Sequence, residues 1–184
     1  MAIRIKSHWY NEDRERSLEE IAGALAFNAW KIAMDKAISL HGANFIYDSD
    51  RQRLDVISEY LIFQIQIVDR MVHQRLEQQE RQQLITALAL RLAGHMQENG
   101  SELLGAGDYG KALINLLNHR SQEYAELGFG EDGPSYPFMR HLGYEIQQHM
   151  GSSHENRWVI DQVMDKDAPE VYKHVKQILR NLFM

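Results

Sequence analysis

From residue 50 to residue 93 the chain contains neither glycine nor proline, and its apolar residues recur every three or four positions. Strands alternate with a period of two, and only a helix puts positions three and four apart on one face. At about 100° per residue, Leu54, Ile57, Leu61, Ile65, Val68 and Val72 form one stripe, while Tyr60, Phe63, Ile67 and Met71 fill much of the opposite side. A helix apolar over most of its circumference belongs at the centre of a bundle or in an oligomer. The polar, glutamine-rich stretch around residues 76–83 predicts a break. It gives a second helix from about 50 to 76 and a third from about 79 to 98, stopped by Asn99 and Gly100.

The same reading extends to the rest of the chain. Ser17 and Glu20 have capping-box spacing and open a first helix that Gly42 ends. A fourth helix over about 110–127 turns Leu113, Leu116, Leu117 and Tyr124 inward. A fifth, to about 150, does the same with Phe138, Leu142, Ile146 and Met150. Ser152 and Glu155 repeat the capping-box spacing ahead of a short helix around Trp158, and Pro169 sits in the first turn of the last helix. The glycine-rich stretches 100–110 and 128–133 read as loops. A strand-like pattern occurs only at Ile3 and Ile5. The expectation is an all-α, single-domain helical bundle of six to seven helices over residues 17–184. An N-terminal arm, residues 1–16, precedes it, with Ile3, Ile5, Trp9 and Tyr10 packed on something.

A chain of 184 residues buries roughly 70% of its unfolded surface, enough for a core without staples. It has no cysteine, which excludes disulfides, thiolate zinc, iron–sulfur ligation and a cysteine nucleophile. The net charge is −6 and the basic residues are scattered, so no nucleic-acid footprint is present. No run reaches the ~18 apolar residues of a membrane span. The first residues lack an apolar signal-peptide core, so a cytoplasmic protein is expected. Phosphate-cradling, dinucleotide, zincin and nucleophile-elbow motifs are all missing.

The nine histidines are the chief chemical resource. Six of them have an acid four positions away, where composition alone would give about two, and this spacing places both side chains on one helix face. His149 and Glu145 fall in or beside the apolar arc of the fifth helix, and Asp69 and His73 flank that of the second. Buried carboxylates and imidazoles are costly unless paired or bound to metal. Asp69, His73, Glu145 and His149 are therefore the candidate ligands, with Glu59, His119 and Glu123 in reserve. Oxygen and nitrogen donors suit iron, manganese or zinc. His141 reads as a surface residue. The plainer alternative is that these pairs only bond one another and orient the bundle. The Glu-x-x-His motif of ferritin-like di-iron bundles is absent, and the His-x-x-x-His of hemerythrin-like bundles is missing beside His119 and Glu123, so neither family is indicated.

A second constellation is the polar arc of the second helix, with Glu59, Gln66, Arg70, His73 and the adjacent Asp69. An arginine beside an amide and a carboxylate suits a small carboxylate ligand, or makes internal ion pairs. The apolar breadth of this helix and the C-terminal apolar stripe point to a homodimer. The functional expectation is a binding or interaction protein acting as a homodimer. The alternative is a non-haem, carboxylate/histidine metal-binding bundle with a redox or oxygen-related role.

Overall fold

The structure, a computed structural model, describes residues 16–183; the expected arm, with its Ile3 and Ile5, lies almost wholly outside them. The described chain is an all-α bundle with seven α-helical segments: α1 Leu18–Gly42, α2 Asp50–Val72, α3 Gln78–Leu104, α4 Tyr109–Ala125, α5 Tyr136–Met150, α6 Val159–Gln162 and α7 Ala168–Phe183. Between α4 and α5 a two-residue antiparallel pair, β1 Phe129–Gly130 and β2 Gly133–Pro134, takes the place of the expected loop. No described helix is long and apolar enough to cross a membrane.

Helix α2 is the axis of the bundle. It is buried on every side from Val56 to Val68, and α1, α3, α4, α5 and α7 surround it. Its neighbours approach closely because α1 presents small side chains, with Ala22, Ala26, Ala29, Ala33 and Ala37 all buried. The capping box at Ser17 forms as expected, with Glu20 N–H donating to Ser17 Oγ and Ser17 N–H to Glu20 Oε2. Glu77 and Glu80 form another at the start of α3, so the break between α2 and α3 falls at residues 73–77. Ser135 caps α5 by accepting from Phe138 N–H, with Pro137 in the first turn.

Three boundaries differ from expectation. Helix α3 runs through Asn99 and Gly100 to Leu104, and Gly105, at φ +84°, ends it. Gly100 serves close approach: a Cβ there would lie 2.3 Å from Cγ of Tyr109, whose ring covers it. Residues 154–158 are turns, and no helix begins before Val159. Asn156 fixes them. Its buried amide accepts from Ile46 N–H and donates to the carbonyls of Ile46 and Met150, tying two connections together. The last helix is continuous with α6 through a five-residue π-helical widening, Val163–Asp167. That widening turns Asp167 inward, where it accepts from the Tyr60 hydroxyl at 2.7 Å and faces Lys36 at 3.8 Å.

The two apolar surfaces from which a dimer is expected are used within the chain. Those of α2 are core, and Val171, Val175 and Leu179 of α7 are buried in the same bundle.

Candidate metal centre

Helices α2, α4 and α5 each turn charged side chains toward one another. Glu59 comes from the middle of α2 and is 0% exposed. From α4 come Arg120, Glu123 and Tyr124, three and four positions apart and so on one face. From α5 come His141, Glu145 and His149, spaced by four over two turns.

Arg120 holds the cluster together. Its Nε and Nη2 both donate to Glu59, at 2.9–3.2 Å. Nη1 reaches Glu123 Oε2 at 2.9 Å, and Nη2 also reaches Glu145 Oε2 at 2.5 Å. His149 Nε2 lies 2.9 Å from Glu59 Oε1 on the other side. His141 Nε2 lies 3.2 Å from Glu123 Oε2, and its Nδ1 4.0 Å from Glu145 Oε1. Buried charges persist only when paired and hydrogen-bonded in this way.

The protonation states follow. Burial pushes Glu59 up, but the hydrogen bonds and charges of His149 and Arg120 outweigh it and hold the carboxyl below its usual range. The hydrogen bond to Glu59 raises His149 against the opposing effect of burial. Burial is the largest influence on Glu145 and leaves it raised, despite Arg120. Burial likewise lifts the Tyr124 phenol well above its ordinary value, with Glu59, Glu145 and Glu123 adding to it, so this hydroxyl stays protonated beside the carboxylates.

Within this cluster Glu123, His141 and Glu145 offer one ligand atom each, all within 4.8 Å of one another. Three atoms bound to one ion at about 2.0–2.2 Å lie roughly 3–4 Å apart, so small side-chain rotations close the set. These side chains sit at the rim, 34%, 17% and 12% exposed, whereas Glu59 and Arg120 lie beneath. Arg120 takes Oε2 of both glutamates and leaves Oε1 of each outside its hydrogen bonds. The Tyr124 hydroxyl is buried under the same carboxylates with no hydrogen-bond partner among the described residues. The His141 ring stands edge-on to the Tyr124 ring, centroids 4.8 Å apart.

The structure distributes the expected ligands over two places. Glu145 and His149 are in the cluster, with the reserves Glu59 and Glu123. His119 stands at its edge, 65% exposed and 3.4 Å from Glu123 Oε1. Asp69 and His73 are elsewhere. Arg81 of α3 grips both oxygens of Asp69, at 2.6 and 2.7 Å, and donates to His73 Nδ1. Along a straight helix, fourteen residues from Glu59 to His73 span about 21 Å, so those two cannot share an ion with Glu145 and His149. His141, read as a surface residue, belongs to the triad. Arg120 was missed, although it falls at helical spacing within the buried stripe Leu113, Leu117 and Tyr124. A charged residue inside an apolar stripe is the signal that marks it.

Comparison with protein-family models, with curated protein sequences and with solved structures gives no match to this chain.

Proposed function

We propose that this chain is a non-haem metal-binding bundle protein that holds one divalent ion on Glu123, His141 and Glu145. The observation that carries this reading is the convergence of two carboxylates and an imidazole at the rim of a buried charge network. Such a mixed oxygen and nitrogen set suits iron, manganese or zinc. Three protein ligands leave coordination positions for water or a substrate, the arrangement of a reactive centre rather than a structural one. Glu59, Arg120 and His149 serve as the supporting layer: Arg120 orients both glutamate ligands, and Glu59 pairs with Arg120 and with His149.

The test is equilibrium dialysis of the full chain against zinc, manganese and anaerobic ferrous ion, followed by elemental analysis. One equivalent retained by the wild type and lost in Glu145→Gln and His141→Ala, with both variants still folded, is the expected result. No retention of any of the three ions, or equal retention by both variants, contradicts it.

A homodimer remains a second reading, on a different surface. On α1, Phe27 and Ile38 are 68% and 59% exposed, and Met34 between them is also exposed. With the half-buried Trp30 they repeat at helical spacing along one outer stripe. The occupant this stripe suits is a second copy, with Lys31 and Asp35 beside it able to pair across a two-fold axis. Light scattering of the wild type and of Phe27→Glu, Ile38→Glu tests it: a dimer that the double substitution dissociates is expected, and a wild-type monomer at high concentration overturns it.

A further inference from the structure

Beside the charge cluster, on a neighbouring face of α4, α2, α3 and α4 line a cleft of about 520 Å³. This is within the size range of small-molecule sites, roughly 300–1,000 Å³. Its walls are mixed. Ile85 and Ala89 of α3 and Leu117 of α4 are apolar, and Leu90 stands at the rim, 61% exposed. Polar groups come from the arc of α2 that faces the cleft, Gln66, Asp69 and Arg70, and also from Arg81 of α3 and Ser121 of α4.

The charges in the cleft do not cancel. Arg81 and Asp69 neutralise each other through their two-point ion pair. Arg70 has no carboxylate partner among the described residues. One of its Nη groups donates to the Tyr124 carbonyl at 2.8 Å, and its guanidinium lies 6.0 Å from the centroid of the Phe138 ring. These contacts fix the guanidinium in place while using one of its five N–H donors, so the others remain for a ligand. Beside it Gln66 Nε2 donates to Ser121 Oγ at 2.8 Å, which leaves the Ser121 hydroxyl hydrogen free to donate. The chain carries a net charge of −6, and against that background a half-buried cation with no counter-charge is a specific anion site.

We infer that this cleft binds a small organic monocarboxylate, with the carboxylate on Arg70 and Ser121 and an apolar body against Ile85, Ala89 and Leu117. A guanidinium matches a carboxylate with two parallel hydrogen bonds, and the apolar wall adds the burial that a free inorganic anion lacks. The site uses none of the proposed metal ligands and meets that cluster only where Arg70 donates to the Tyr124 carbonyl.

Octanoate and benzoate, an aliphatic and an aromatic probe, are titrated calorimetrically into the full chain, with 1-octanol and inorganic phosphate as controls. At least one carboxylate is expected to saturate at one equivalent with a Kd below about 1 mM. Arg70→Gln is expected to weaken that binding at least about tenfold, and the wild type is expected to take up phosphate and octanol at least that much more weakly. Leu90→Trp, which fills the cleft from an exposed position, is expected to block binding without lowering the melting temperature. Glu145→Gln, which disables the metal centre, is expected to leave carboxylate binding intact. Failure of both carboxylates to saturate by about 10 mM overturns the inference, as does equal binding to Arg70→Gln or to Leu90→Trp.

Discussion

His149 and Glu59 meet between α5 and α2 at 2.9 Å, Nε2 to Oε1, and each moves the other's protonation. His149 is held above its ordinary value of 6.5, first by the hydrogen bond to Glu59. Glu59, although burial pushes it up, ends below 4.5 because His149 and Arg120 stabilise its anion. The histidine therefore contributes stability that is complete below pH 6.5 and is lost as pH rises through its raised folded value. The glutamate contributes stability that is complete above pH 4.5 and is lost as pH falls through its lowered folded value. Urea midpoints measured across pH should show the pair's contribution complete between 4.5 and 6.5. His149→Gln keeps a donor to Glu59 but removes the titration, so the loss on the alkaline side should flatten.

Much of this was legible in the sequence. Every residue of the predicted stripe on α2 is buried, and so are Phe138, Leu142, Ile146 and Met150 on α5. Helical periodicity reports one helix at a time, and for that it is reliable. Which helices face each other is decided by packing between residues far apart in the chain, which no periodicity encodes. Hence the spacing on α5 marks Glu145 and His149, but it does not show that they face Glu59 and Arg120 rather than Asp69 and His73, which lie further along α2. Gly100 misled for a related reason: it reads locally as a helix stop, and only the Tyr109 ring lying over it explains a glycine inside α3.

Arg120 neutralises Glu59, a carboxylate that cannot reach water. Arg120→Met should destabilise the chain by about 3–5 kcal/mol, because it leaves the charged Glu59 in the core with His149 alone to pair it. The double variant Arg120→Met, Glu59→Gln should recover part of that loss, since the two residues act as one unit. Denaturant unfolding of the three variants gives the coupling, and strictly additive effects would contradict the network.

The Tyr60 hydroxyl donates to Asp167 deep under α7, where burial already raises the Asp167 carboxyl above its usual range. Tyr60→Phe should cost about 1–3 kcal/mol by leaving the buried Oδ2 of Asp167 without its donor. Asp167→Asn keeps an acceptor for Tyr60 and should cost less, as read from thermal melts of both.

Gly100→Ala should destabilise the wild type, because the added methyl meets the Tyr109 ring. In a Tyr109→Ala background the same change should stabilise by about 0.5–1 kcal/mol, the helix-propensity difference between glycine and alanine. A change of sign between the two backgrounds, read from urea unfolding, is the expected result.

The proposed metal centre is tested most directly by cobalt(II), whose visible spectrum reports its ligands. Titration of the full chain should give a d–d band that differs from that of the hydrated ion and saturates at one equivalent. The band should be missing in His141→Ala and should survive in His73→Ala, whose imidazole belongs to the Arg81 pair. A spectrum that stays that of the hydrated ion throughout, or one abolished by His73→Ala and untouched by His141→Ala, would contradict the assignment of Glu123, His141 and Glu145 as the ligands.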